Sequence, residues 1–245
     1  LTGNVVTTGN QGILTTTGLN KTITGNIGSS TSLDLNTLNI GSDTDSTNYS
    51  TTTINGNVFA NSTVLNNGTT NSSELILASG KNITSTITTA DANMGILTLA
   101  GGIQTVTGQV GNGNKLAEVN AGNGASTFAN DVYATNTNIG SGRVDFNTVS
   151  GTTNTNIIFS DNGTANLLNG LTGDINFAGK DATVNVSDGK GILGSVQTLA
   201  SNNTGIINYQ GDGTISGNIG SSSHGIKELN INTANQQNSG GAGLV

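Results

Sequence analysis

His224 is the single histidine of this chain and lies in Ser221-Ser222-Ser223-His224-Gly225. A serine beside an imidazole, with an aspartate orienting the ring, is the arrangement that makes a hydroxyl nucleophilic. Neighbours in an extended segment point apart, so the expectation here is an exposed loop and not a triad. The fourteen carboxylates are dispersed. Asp43 and Asp45, two apart between Gly and Asn, hint at a Ca²⁺ loop, but such loops need several oxygen ligands in a defined order. The Gly-Gly-x-Gly-x-Asp nonapeptide of calcium-binding β-rolls is not in the sequence. Asp181 and Asp188 flank a short strand text and are expected in turns. Glycoside cleavage needs two carboxylates about 5–10 Å apart, and sugar-acting clefts add aromatic platforms. With no Trp, three Tyr (Tyr49, Tyr133, Tyr209) and five Phe, those platforms are scarce. Gly111-Asn112-Gly113 and Gly122-Asn123-Gly124 lack the following helix that a phosphate loop requires and read as turns. Thr15, Thr17, Thr22 and Thr24 suggest an ice-ordering face only locally, without a strict ladder. The Asn-x-Ser/Thr triplets at Asn61, Asn82 and Asn185 are expected by chance in so Asn- and Thr-rich a text. The expectation is therefore no catalytic, cofactor-binding or metal-ligating residue, no cofactor, and no enzyme.

Composition narrows the classes further. Charged residues are 9% of the 245, against about a quarter in ordinary soluble domains. Net charge is −7, and no two of Lys21, Lys81, Lys115, Arg143, Lys180, Lys190 and Lys227 are adjacent. Without a basic stripe, binding to nucleic acid or to anionic lipid is not expected. There is no Cys, hence neither a disulfide framework nor a thiolate metal site. No apolar run approaches the ~18 residues of a membrane helix, so no direct membrane insertion is expected. No signal peptide is legible, and the text starts at Leu1 without Met, as a piece of something longer would.

The elements that would carry these residues are strands. Leu, Ile, Val and Phe make up about a quarter of the chain, enough for a thin, elongated core. Period-two stretches recur: Thr22-Ile23-Thr24, Leu33-Asp34-Leu35, Leu97-Thr98-Leu99, Thr183-Val184-Asn185-Val186 and Leu229-Asn230-Ile231-Asn232. Each is bounded by Gly, Asn or Ser. Pro is absent, as expected where every backbone N–H is wanted by a neighbouring strand.

The text also repeats itself. Residues 12–28 read GILTTTGLNKTITGNIG, residues 95–111 read GILTLAGGIQTVTGQVG, and residues 205–220 read GIINYQGDGTISGNIG. A weaker echo, GLTGDINFAG, spans Gly170 to Gly179. In each full copy two aliphatics (Ile23 and Ile27, Val106 and Val110, Ile215 and Ile219) bracket a glycine, which suits a strand, a tight corner and a return inward. Such a unit cannot bury its apolar face alone and must stack. The fold expected is all-β, an elongated β-solenoid, with residues 1–245 forming a single solenoid segment. Coils of about 20 residues would give roughly 12 coils and a rod of order 60 Å, with residues 41–53 and 61–73 leaving it as loops. A β-sandwich is the rival fold.

The Gly-Asn-(Ile/Val) coils, the Thr214-Ile215-Ser216-Gly217-Asn218-Ile219-Gly220 phrase and the following Ile226-Lys227-Glu228-Leu229-Asn230-Ile231 resemble passenger regions of bacterial autotransporters. Among these the text is most similar to the rickettsial surface cell antigens and outer-membrane protein B-type proteins. The resemblance implies that the fold is a right-handed parallel β-helix (β-solenoid) and that residues 1–245 form one segment of a larger passenger region. It also implies export by a C-terminal translocator barrel outside these residues, and a place on the bacterial cell surface or outer membrane, or secretion. It implies host-cell adhesion, through a host-cell surface protein or glycan as partner, and/or a structural surface layer. A polysaccharide-acting β-helix enzyme and a purely architectural stalk are the alternatives.

Overall fold

The computed structural model describes residues 1–29, 35–42, 49–111, 113–148, 151 and 153–231. Among them every strand pairing is parallel and no helix occurs. Parallel pairing between strands one coil apart excludes the sandwich, whose strands run antiparallel.

Register shows how the chain winds. Three inward columns run along the molecule, one residue per rung. The first is Leu14, Leu38, Thr63, Ile87, Val110, Val132, Thr153, Leu171, Ile192 and Ile215. The second is Ile23, Ile54, Leu77, Leu99, Ala121, Ile139, Phe159, Phe177 and Thr198. The third is Val5, Ile27, Val58, Ile83, Val106, Phe128, Phe146, Leu167, Val186, Tyr209 and Ile231. The chain visits the three faces in that order, turn after turn: a three-faced parallel β-solenoid. Among the described residues, ten steps of about 4.8 Å along the third column make a rod of about 50 Å. The rod is shorter than the sequence suggests because most coils use more chain than expected. The coil from Ala125 to its partner Arg143 is short, that from Leu35 to Ala60 is long, and the second-face step from Gly18 to Ser50 is longer still.

The core is the sum of these columns. From Ile27 to Val196, nearly every inward aliphatic is fully buried, each contributing about 1.5–3 kcal/mol of transfer free energy. Phe128 stacks on Phe146 (centroids 5.6 Å, planes 12° apart) on the third face, and Phe159 on Phe177 (5.4 Å, 12°) on the second. At the last rungs apolar residues surface: Ile219 and Leu229 are 45% and 41% exposed.

Glycine makes the corners. A Cβ on Gly25 would meet the Gly3 carbonyl, one on Gly56 the Gly25 carbonyl, one on Gly108 the Ser85 carbonyl and one on Gly217 the Gly194 carbonyl, all under 3.0 Å. Gly25, Gly108 and Gly217 are the bracketed glycines of the repeated phrase, and the rung beside each one leaves no room for a side chain.

Two expectations are corrected. Residues 61–65 do not leave the rod; they belong to the strand Val58–Leu65, with Thr63 and Leu65 buried. Likewise Ser50–Ile54 is a strand with Ser50 and Thr52 facing in. Both stretches looked like loops because their inward positions are hydroxyls. Those hydroxyls satisfy one another inside the core: Ser50 Oγ with Thr52 Oγ1 at 2.9 Å, Thr52 Oγ1 with Thr16 Oγ1 at 2.8 Å, Thr63 Oγ1 with Ser85 Oγ at 2.8 Å. Leu33, Asp34, Asp43, Asp45, Asn112 and Asn232 lie outside the described residues.

Candidate functional site

The outer surface is where a solenoid does its work, because its interior is closed by stacking. One outward column, immediately before the third inward column, is largely asparagine: Asn4, Asn26, Asn57 and Asn82, then Thr105, Thr127 and Asp145, then Asn166, Asn185, Asn208 and Asn230. In the first stretch each amide oxygen accepts from the backbone N–H of the next rung: Asn4 from Asn26, Asn26 from Asn57, Asn57 from Asn82, Asn82 from Thr105, all at 2.8–2.9 Å. There the Asn takes the place of a ladder bond at the corner. In the last stretch the column lies on strands, and each amide Nδ2 donates to the preceding side chain. Asn166 donates to Asp145 (2.5 Å), Asn185 to Asn166 (2.7 Å), Asn208 to Asn185 (2.9 Å) and Asn230 to Asn208 (3.0 Å).

The residues singled out for chemistry are placed as follows. His224 does meet a serine: Ser223 Oγ is 2.9 Å from its Nδ1, contrary to the expectation that the two point apart. The segment closes as a tight turn, Ser221 N–H donating to the His224 carbonyl, which brings the neighbours together. Among the described residues Ser223 is the only hydrogen-bond partner of the His224 ring, so no carboxylate orients it, and the contact is exposed. Asp181 and Asp188 sit outside the strand Thr183–Val186 as expected. Asp181 meets Lys227 at 3.4 Å, and Asp188 Oδ1 accepts from Asp212 N–H at 2.9 Å. Among the described residues no three of His, Cys, Asp and Glu converge. Thr15 and Thr22 lie on different faces, so the threonines share no plane. Tyr209 is buried at the third column, its hydroxyl donating to the Thr214 carbonyl at 2.9 Å. Burial pushes its pKa up to about 12, against a smaller lowering by a backbone hydrogen bond at Ile192.

One feature escaped the sequence. At the edge between the first and second faces the outward column Asn93, Lys115, Tyr133, Asn154, Thr172, Leu193 is disturbed. The strand Tyr133–Ile139 carries an extra residue between Tyr133 and Asn136 relative to its neighbour Thr153–Phe159, a bulge that re-aims side chains. Thr135 Oγ1 donates to Asn93 Oδ1 (2.9 Å), and Lys115 Nζ donates to Asn154 Oδ1 (2.7 Å); each bond spans an intervening rung. Asn93 is left-handed (φ 60°), and Gly173 (φ 142°) opens the far side. These distortions surround a cleft of about 350 Å³. A bulge leaves no mark in the hydrophobic pattern, and Lys115 is one of seven isolated cations that the sequence does not tell apart.

The architecture defines a parallel β-solenoid with a polar, charge-poor exterior. No family model matches the chain, and no solved structure matches it. Its sequence is similar to "Outer membrane protein A" of Rickettsia rickettsii, 32% identical over 196 residues of alignment that cover 63% of this chain. The chain spans 8% of the length of that protein. A relation to a rickettsial surface protein follows; the activity of the much longer relative does not.

Proposed function

We propose that this chain is a segment of the surface-exposed passenger of a bacterial autotransporter, acting in contact with host cells and/or as part of a structural surface layer. The observation that carries this reading is the three-faced solenoid itself, together with its similarity to an outer-membrane protein. A rod whose backbone bonds run from rung to rung holds its side faces at a distance from whatever anchors it. Contact, not turnover, is what such a surface offers, and we take the chain to act without catalysis. Seven dispersed cations favour neither nucleic acid nor lipid; the partner class proposed, host-cell protein or glycan, comes from the resemblance to autotransporter passengers.

The Asn column supports the architectural alternative, since it adds stiffness without adding a distinct ligand surface. The cleft at Lys115 supports contact. Binding of the purified chain to cultured host cells, against an unrelated β-helix of equal size, separates them. Binding above the control is expected. Equal retention of the two would remove the adhesive role and leave the stalk.

A further inference from the structure

The cleft between the first and second faces lies outside the regular ladder, and its chemistry is specific. Amides of Asn93, Asn154 and Asn156 and hydroxyls of Thr135 and Thr172 surround it, Leu193 forms an apolar edge, and Lys115 brings the one charge; no lining residue is acidic. Amides and hydroxyls donate and accept side by side, which suits a polyol. A volume of about 350 Å³ is at the small end of ligand sites and suits one monosaccharide unit. The charge decides the kind. A phosphate dianion is ordinarily held by several donors in a fork or by paired cations, and a metal ion would need oxygen anions. A single ammonium among neutral amides matches a single carboxylate.

We infer that this cleft binds one acidic sugar unit, its carboxylate on Lys115 Nζ and its hydroxyls on the surrounding amides and threonines. Lys115 now donates to a neutral acceptor, Asn154 Oδ1. An ammonium has three donors, so a carboxylate joins this bond without displacing it. Leu193, 55% exposed, takes the part of the missing aromatic platform by covering the C–H face of the ring. Gly173 matters because a Cβ there would run into the Thr155 carbonyl, forcing the cleft floor to move. The inference rests on the surface-contact reading and deepens it by giving it a ligand class: a glycan terminating in, or built from, sugar carboxylates.

The test is titration of the whole chain, followed by NMR, with N-acetylneuraminic acid and D-glucuronic acid, and with lactose as the neutral control. Binding of at least one acid with Kd on the order of 1 mM is expected, with shifts at Thr172, Gly173 and Leu193. Which acid binds distinguishes a sialylated glycan from a uronic polymer. Lys115→Gln should weaken it about 10-fold or more while leaving the urea midpoint unchanged; Asn154→Ala should weaken it less. No binding of either acid, equal binding of lactose, or full binding by Lys115→Gln would each overturn the assignment. Host-cell binding that persists in a chain blind to both acids would overturn the cleft while sparing the surface role.

Discussion

A methyl group added at Gly56 would meet the Gly25 carbonyl of the adjoining rung at under 3.0 Å, and Gly56 has no positive φ to excuse it from being another residue. The constraint is therefore contact alone. Gly56→Ala should cost about 1–3 kcal/mol through overpacking, seen as a lower urea midpoint. Gly80 provides the contrast: its φ is +70° and a Cβ there meets nothing, so Gly80→Ala should cost about 1–2 kcal/mol from backbone strain alone. Equal midpoints for Gly56→Ala and the parent would show that the corner can shift. Tyr209 gives a pH signature. Its folded pKa of about 12 lies above the ordinary 10, so the fold favours the neutral phenol. That contribution is whole below pH 10 and is lost as pH rises from 10 towards 12. Phenolate absorbance of the folded chain should show one tyrosine titrating late, and Tyr209→Phe should remove that phase. At this scale the sequence announced the corner glycines by their spacing, but not the carbonyls that exclude a side chain, which belong to residues about one coil away.

Strands were legible wherever the inward residues are aliphatic, as in Leu97-Thr98-Leu99 and Thr183-Val184-Asn185-Val186. They were lost in Ser50–Ile54 and in residues 61–65, where threonine and serine face the core. Thr52 and Thr63 meet hydroxyls on other rungs, Thr16 and Ser85, and a single strand's text cannot show those partners. This makes Thr63 and Ser85 a test. Thr63→Val leaves the Ser85 hydroxyl without its 2.8 Å neighbour and should cost about 1–3 kcal/mol. Ser85→Ala should cost a similar amount, and the double variant less than the two together. Additive losses in a double-mutant cycle would mean the hydroxyls do not depend on each other. The bulge between Tyr133 and Asn136 was illegible for the opposite reason: it depends on the length of the neighbouring strand, not on its own residues.

Over the whole molecule, repetition was enough to point to a solenoid. Among the described residues the coils are fewer than expected because most use more than the ~20 residues assumed, as from Leu35 to Ala60, with only a few short ones such as Ala125 to Arg143. In a stack most contacts join adjacent rungs, so stability is largely local and propagates. Amide hydrogen exchange should be slowest in the central rungs, at residues such as Val119, Ile139 and Phe146, and fastest at Ile13–Thr16 and Ile226–Ile231. Uniform protection along the rod would instead indicate a single cooperative unit.

The three copies of the repeated phrase do not occupy equivalent places. The copy at 12–28 begins on the first face, that at 95–111 on the second, and that at 205–220 on the third, each ending at a later corner. Each copy nonetheless supplies inward residues to all three faces, so the same text makes a full turn whichever face it starts from. Removing or inserting one copy would therefore act like a washer on a bolt, shortening or lengthening the rod by one rung. Everything downstream would keep both its stacking and the side it shows to the outside world.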